Sequence, residues 1–450
     1  MDKYLVVGSG VSGIAACELL KKENKSFLLY DENEKLDAAA LRAKHPVLSE
    51  VKIAAGAFPE ELYGAVSVVV LSPGVSVEKE YVRRLKETGA KISGEVELAF
   101  CFGKGRVAAI TGTNGKTTTT ALTGEILKQQ YADVKVVGNI GIPYTSVAWD
   151  TTEDTVIVAE ISSFQLETAE TFAPKATAIL NITPDHLDRH HTMDNYIAIK
   201  ESITKNQGKE DICVLNYEDE ALRQFGESAP CKVVYFSGAR RLKNGYVYHD
   251  GALYRVSEGM EKHLLDVAEL NILGLHNYEN ALAAWALGEA FGVPDEKIAA
   301  AMRAFKAVPH RIEFICEKRG VKFYNDSKGT NPDAAIKAIE AMERPTHLIG
   351  GGYDKHSTYD EWIESFGDKV KTLALIGETK QAIADTARAH GFTDIVMCES
   401  LEEAMDACFA KANPGEVILL SPACASWDMF PNYEVRGEQF AAHAREYEEA

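Results

Sequence analysis

Short apolar runs, each followed by a glycine-bearing or polar turn and then a helical pattern, recur along the whole 450-residue chain. Lys3-Tyr4-Leu5-Val6-Val7, Ser26 to Tyr30, Val66 to Leu71 and Lys91-Ile92-Ser93 open it. Val107 to Ile110, Val134 to Val137, Thr155 to Ala159, Ala176 to Asn181 and Asp211 to Asn216 follow. Leu348 to Gly352, Leu373 to Gly377 and Val417 to Ser421 close it. Unbroken apolar runs of this length read as strands buried on both faces, and their alternation with helices predicts an α/β protein with mostly parallel sheets. A chain this long divides into roughly three domains, placed by the pattern at 1–93, 94–308 and 309–450. In open parallel sheets ligands bind at the carboxyl ends of strands, so functional residues are sought there.

The loop after Val107-Ala108-Ala109-Ile110 is Thr111-Gly112-Thr113-Asn114-Gly115-Lys116-Thr117-Thr118, and a helical pattern follows it. Glycines let backbone N–H groups turn toward phosphate oxygens, the helix N-terminus favours negative charge, Lys116 can reach terminal phosphates and Thr117 can ligate magnesium. The loop is a variant: the standard eight-residue pattern wants glycine where Ile110 stands. The middle segment is therefore expected to be a P-loop-type nucleotide-binding domain, between Rossmann-like N-terminal and C-terminal domains.

From residue 3 the order is strand, Gly8-Ser9-Gly10-Val11-Ser12-Gly13, a helix through Leu20, and a second strand ending on Asp31. That is the dinucleotide fingerprint, with an acid placed for a ribose hydroxyl. Only about half a dinucleotide fold fits before the phosphate loop, which favours a mononucleotide-type ligand over NAD. An empty Rossmann-like unit matches the same pattern.

Further candidates sit at strand ends. Glu160 closes a buried strand and reads either as a magnesium ligand or as a helix-capping carboxylate. His186, with Asp185, Asp188, His190 and His191, lies in a loop leading to a helix near Tyr196, where such clusters are more often solvated than metal-bound. Lys200 on that helix is, taken alone, an exposed lysine. Asn277 and Asn280 share a helix face, suited to a purine edge or to capping. In the third segment the loops Asn325 to Pro332 and Ser421 to Phe430 follow predicted strands, and both are expected to face the triphosphate across an interdomain cleft.

A formal charge of −19 argues against nucleic acid and requires phosphate sites to be built locally. The eight cysteines are scattered with no Cys-x-x-Cys pair, as in a reducing cytoplasm. There is no signal-peptide layout and no run of membrane-spanning length, so no membrane partner is expected. No apolar stripe is left over, which points to a monomer.

The segments TGTNGKTT, NITPDHLDRH, GLHNYENALAA, PHR, NDSKGTNP and SPACASWDMFPNYEVRG occur in that order, and together they resemble the Mur ligases over essentially the whole chain. The dinucleotide-like first unit with the NDSK and SPACAS segments is similar to the branch that adds D-glutamate to UDP-N-acetylmuramoyl-L-alanine. The resemblance implies a uridine-nucleotide domain, a central ATPase domain and a mobile C-terminal domain. It implies ATP- and magnesium-dependent amide formation through an acyl phosphate in peptidoglycan precursor synthesis, hence in cell-wall growth, cell shape and division.

By the same resemblance Gly112, Thr113, Asn114, Gly115, Lys116, Thr117 and Thr118 would hold ATP phosphates, and Asn277, Asn280, Arg311 and Asp326 the adenine and ribose. Thr117, Glu160, His186 and a carbamylated Lys200 would hold metal, with Lys116, His186 and Lys200 as catalytic groups. Gly10, Ser12, Gly13, Asp31, Ser72, Asn139 and His186 would meet the uridine substrate, and Lys328, Thr330, Ser426 and Tyr433 D-glutamate. The chain departs from the family where Glu32 and Asn33 replace an arginine expected after Asp31, and where Tyr433 stands in place of a frequent phenylalanine. Lys355, in a glycine turn, reads as solvated.

Overall fold

The computed structural model describes residues 3–139 and 141–448. The chain forms two compact units, Met1–Leu265 with Glu279–Met302, and Asp266–Tyr278 with Arg303–Ala450. Three sheets lie within them.

The first sheet is built from β1 (Lys3–Val7), β2 (Ser26–Asp31), β3 (Ile53–Ala55), β4 (Val68–Leu71) and β5 (Lys91–Gly94). All pairings are parallel, in the order β3-β2-β1-β4-β5. This corrects the half-fold expectation: five of the six strands of a dinucleotide-type sheet are present, in the order that leaves a crevice beside β1 and β4. The sequence hid β3 because its three residues carry no long apolar run. The helix Val11–Lys22 docks on β1 through Gly13, where a Cβ would stand 1.8 Å from the Gly8 carbonyl oxygen. Only a hydrogen fits there.

The second sheet comprises β6 (Arg106–Thr111), β7 (Val134–Gly138), β8 (Val156–Glu160), β9 (Ala176–Ile179), β10 (Ile212–Asn216), β11 (Lys232–Ser237), β12 (Gly245–His249), β13 (Ala252–Ser257) and β14 (Met260–Asp266). Their order is β14-β13-β12-β11-β10-β9-β6-β8-β7. β6 is flanked by β8 and β9 and every residue of β8 is buried, as its continuous apolar run requires. The β12/β13 pair is antiparallel, an extension absent from the strand–helix reading because a two-residue turn and no helical pattern separates its short strands.

First and second sheets share one hydrophobic core that runs from Tyr4 and Val6 through Val96 and Ala99 to Ile157 and Ile179. The helix Glu95–Phe102 bolts them together. Buried Glu95 accepts from the Thr145 N–H at 2.6 Å and from its hydroxyl at 2.8 Å, and Glu97 accepts from the Thr171 N–H at 2.9 Å.

The third sheet has β15 (Glu313–Lys318), β16 (Val321–Asn325), β17 (Thr346–Gly350), β18 (Val370–Leu375), β19 (Ile395–Met397) and β20 (Val417–Leu420), in the order β15-β16-β20-β17-β18-β19. β15 is an antiparallel edge on an otherwise parallel sheet. Because β16 and β20 are neighbours, the loops that follow them emerge side by side.

Candidate functional site

The turn from β6 into the helix Lys116–Lys128 is braced from the end of β9. Asn181 accepts from the Thr113 N–H through its carbonyl at 2.9 Å, and its side chain accepts from the Asn114 N–H at 2.8 Å and donates back to the Asn114 carbonyl at 3.1 Å. Gly115 has φ +84°, and a Cβ there would lie 2.3 Å from Asn280 Oδ1. The left-handed backbone and the close amide leave glycine as the residue that fits. Thr117 and Thr118 are buried on the first helical turn.

Two lysines converge on this loop. Lys116 Nζ donates to the carbonyls of Gly112 at 2.9 Å and Thr113 at 2.8 Å, and Lys200 Nζ also donates to Gly112 at 2.9 Å. Lys200 is 1% exposed, on the helix Met193–Glu201, with its ammonium 4.6 Å from the Tyr196 ring centroid. That corrects the solvated lysine of the residue-level reading: the i−4 tyrosine and the phosphate loop enclose its stem. Burial, then the charge of Lys116, push its pKa down to about 6 against the opposing pull of Asp185.

Glu160, 2% exposed, ends β8 opposite Ile110 of β6 and Gly138 of β7. Its Oε1 accepts from Asn139 Nδ2 at 2.8 Å, while its Oε2 is buried without a hydrogen-bond partner. The helix-cap alternative fails, because Ser162 caps the following helix, Ser163–Leu166. An unsatisfied buried oxygen costs about 1–3 kcal/mol, more when charged. A hard cation beside a Thr hydroxyl and phosphate oxygens answers that deficit, so the donor set fits magnesium. No three His, Cys, Asp or Glu side chains among the described residues form a ready-made metal cluster.

His186 starts the short helix Leu187–His190 at φ +52°, and His191 ends it at φ +67°. Left-handed backbone costs a non-glycine residue roughly 1–2 kcal/mol, so the segment is held rather than relaxed. The His186 ring, about half exposed, lies 4.8 Å from Phe164, with Nε2 3.4 Å from Asp185 Oδ2. His190 is buried instead, its Nε2 2.9 Å from Ser163 Oγ. The residue reading of a solvated cluster holds for His186 and not for His190.

In the first sheet, Asp31 Oδ2 accepts from the Ser9 N–H at 2.7 Å and the Ser9 hydroxyl at 2.6 Å, and Oδ1 from the Asn33 N–H at 2.9 Å. Partial burial would raise its pKa, and these bonds outweigh burial and lower it, so the carboxylate stays ionised. Gly10 is the N-cap of the helix carrying Ser12 and Gly13, with no side chain capping it. Ser72 Oγ is buried without a partner, 2.6 Å from the Cβ position of Gly8. An open helix N-terminus and an unsatisfied hydroxyl fit a phosphate-bearing ligand. Glu32, standing where an arginine was expected, takes Lys79 and the Tyr81 hydroxyl.

The second unit gathers its own candidates around the ends of β16 and β20. Buried Asp326 accepts from the Ser421 hydroxyl at 2.8 Å and the Ile312 N–H at 3.3 Å. Burial pushes its pKa up to about 7, against Ser421 and the nearby charges of Arg311 and Arg436. Lys328 Nζ lies 5.3 Å from the Tyr433 ring centroid, the Thr330 N–H donates to the Lys328 carbonyl, and Ser426 is buried. Asn277 donates its amide to the Leu273 carbonyl at 2.7 Å, and Asn280, in the first unit, accepts from Thr119 Oγ1 at 3.2 Å.

Residue reasoning missed the braces. Arg436, fully buried, donates to Ser327 Oγ at 3.0 Å and to the carbonyls of Ser327 at 2.8 Å, Cys424 at 3.1 Å and Ala425 at 3.3 Å. One guanidinium ties both loops together. The sequence shows only an arginine between Glu434 and Glu438 on a helix, which reads as a solvated charge. Asn181, Glu167 and Arg189 were missed likewise.

Comparison with known proteins places these features. Residues 2–94 match the Mur ligase MurD-like N-terminal domain, residues 110–288 the Mur ligase middle domain, and residues 310–424 the Mur ligase glutamate ligase domain. The chain is 52% identical to the UDP-N-acetylmuramoylalanine–D-glutamate ligase of Lachnoclostridium phytofermentans, covering 97% of this chain and 96% of the relative. Against the enzyme of the same name from Lachnospira eligens it is 50% identical, over 97% of each. Among solved structures, UDP-N-acetylmuramate-alanine ligase MurC from Thermotoga maritima shares the fold at 18% identity, TM-score 0.62, over 99% of both chains. With three domain matches in order and relatives about half identical over nearly its full length, the chain belongs to the Mur ligase family.

Proposed function

We propose that this protein is an ATP-dependent, ADP-forming ligase that joins D-glutamate to UDP-N-acetylmuramoyl-L-alanine in peptidoglycan precursor synthesis. The observation that carries the reading is the phosphate loop, where two lysine amines meet at the Gly112 carbonyl in the same sheet that carries the unsatisfied Glu160 oxygen. Such a concentration of donors and an unpaired acid calls for a magnesium triphosphate. The half-identical relatives supply the acceptor and the amino acid.

In the reaction a carboxylate oxygen of the uridine substrate takes the γ-phosphoryl group from ATP, releasing ADP. The amine of D-glutamate then attacks the acyl carbon and loses a proton, and phosphate leaves. No protein nucleophile takes part. Magnesium, when bound, neutralises phosphate charge, and Thr117 and Glu160 would hold it, with His186 and Lys200 at a second metal position. Lys116 and the loop N–H groups not spent on Asn181 orient the phosphoryl group and offset charge on its oxygens. Asn139 and His186 lie on the acceptor side.

The three parts divide the work as 1–93 for the uridine nucleotide, 94–308 for ATP and 309–450 for the amino acid. Gly10, Ser12, Gly13, Asp31 and Ser72 bind the first; Lys328, Thr330, Ser426 and Tyr433 bind D-glutamate; Asn277, Asn280, Arg311 and Asp326 bind adenosine. Lys200 is carbamylated: carbon dioxide adds only to a neutral amine, and burial lowers this one to about 6. The carbamate would turn a buried amine into an anionic metal ligand. Eight free cysteines and charged substrates support a cytoplasmic location. No helix among the described residues is long and apolar enough to cross a membrane.

Mass spectrometry of the uridine product after incubation with ATP, magnesium and single amino acids tests the assignment. A product heavier by one glutamate residue with D-glutamate alone is expected. Products with L-alanine or L-lysine and none with D-glutamate would overturn it.

A further inference from the structure

We propose that Arg189 is a positioning residue for the ligation, a guanidinium bracket that ties the Ser72 turn of the first sheet to the strained segment carrying His186. The inference rests on the ligase reading above.

The guanidinium touches three things at once. It grips Glu167 side-on, with Nη2 to Oε2 at 2.5 Å and Nε to Oε1 at 3.2 Å. The same Nη2 donates to the Val75 carbonyl at 3.1 Å. Its carbon lies 4.7 Å from the Phe164 ring centroid. The pair is largely withdrawn from water, the two side chains being 13% and 8% exposed.

Each contact leads to a candidate substrate group. The Val75 N–H donates to the Ser72 carbonyl at 2.9 Å, closing the turn whose Ser72 hydroxyl is unsatisfied. The same Phe164 ring packs against His186, at 4.8 Å between ring centroids. Glu167 follows the helix that begins three residues after Glu160. Arg189 itself stands between the left-handed residues His186 and His191, so its anchoring fixes both ends of that strained turn.

A second link across the same junction, His191 Nε2 to Glu78 Oε2 at 2.9 Å, is more than half exposed and contributes little by comparison. Arginine is required for the bracket. Only a planar fork can hold a carboxylate through two nitrogens, bond a carbonyl and stack on a ring together, so lysine is not an equivalent.

The test is Arg189→Lys in the full-length enzyme, read by steady-state kinetics, melting, and calorimetric titration with UDP-N-acetylmuramoyl-L-alanine. A misplacement of about 1 Å costs on the order of 100-fold in turnover. A fall in kcat of at least about tenfold is expected, with the KM for the uridine substrate raised and that for ATP unmoved. The double variant Arg189→Lys, Glu167→Gln should be no worse than the single one, because both break one bracket. Kinetic constants equal to wild type, or a lowered melting point with every KM unchanged, would overturn the proposal and leave Arg189 a structural ion pair.

Should Arg189→Lys fail to fold, Phe164→Leu takes its place, with the same signature expected and unchanged constants again fatal. If the wild type shows no D-glutamate-dependent turnover, the ligase reading fails by itself. The titration then decides the bracket: affinity for the uridine substrate weakened severalfold in the variant keeps it, and equal affinity removes it.

Discussion

Two loop clusters of the molecule use the same kinds of residue to opposite ends. Around Asn325 to Lys328 in the second unit, the buried Arg436 guanidinium spends its donors on one hydroxyl and three carbonyls, and Asp326 is met by Ser421 and the Ile312 N–H. Around Gly112 to Thr118 in the first unit, two lysines converge on one carbonyl and Glu160 keeps a buried oxygen with no partner. Saturated buried charge builds a rigid support, and unsaturated buried charge marks a place completed by a ligand. Arg436 should therefore answer to substitution in stability, and the lysines and acid around the phosphate loop in activity.

The largest separation is expected from Lys116→Ala. Loss of its charge at the phosphate loop should slow phosphate release by about 10³-fold, roughly 4 kcal/mol, while calorimetric binding of the uridine substrate and the melting point stay near wild type. A collapse of melting with activity per folded molecule retained would reverse the assignment of roles. Next is Arg436→Leu, which leaves one hydroxyl and three carbonyls buried without their donor. Denaturant unfolding should show a loss of about 3 kcal/mol or more, and a change below ~1 kcal/mol would mean that water replaces the guanidinium.

Lys200→Ala sharpens the comparison from the side of the ligand. Ligation should fall about 100-fold and recover in part with short carboxylates, as the carbamate oxygens are replaced. In the wild type, activation by bicarbonate should grow as pH rises through about 6, where the amine loses its proton. Undiminished turnover in the variant would rule out the carbamate.

The smallest effect concerns Asp326, whose folded-state pKa of about 7 stands above its ordinary 3.8. Between those values the folded chain holds a proton that the unfolded chain has lost, so wild-type stability falls as pH rises through that window. Asp326→Asn removes this slope. Its stability relative to wild type should grow by at least ~1 kcal/mol between pH 4 and 7, and parallel pH profiles would show that Arg311 and Arg436 keep the carboxylate ionised.

What the sequence made legible follows the same division. β1, β6, β8 and β20 announced themselves as unbroken apolar runs, and the loops after them carried their chemistry in glycines, lysines and acids of fixed spacing. β3 and the β12/β13 pair did not, since three residues are too few to read and two short strands joined by a two-residue turn break the strand–helix alternation. Most of the proposed ligand residues sit in loops with local signatures, whereas Arg189, Glu167, Asn181 and Arg436 reach across as many as 114 residues of chain. A lone arginine in a helix shows nothing of the carbonyls it will meet. Lys200 shows the limit most plainly: its helix is legible, and its burial depends on Tyr196 and a loop 88 positions away.

The most direct measurement is calorimetric titration of ATP, with and without magnesium, into the wild type and Glu160→Gln. If the unsatisfied oxygen of Glu160 completes a metal–triphosphate site, magnesium strengthens ATP binding in the wild type by tenfold or more, and Glu160→Gln loses most of that gain while its magnesium-free affinity is unchanged or improved. Equal magnesium dependence in both proteins would contradict the account, since Glu160 would then be buried for a reason unrelated to ATP.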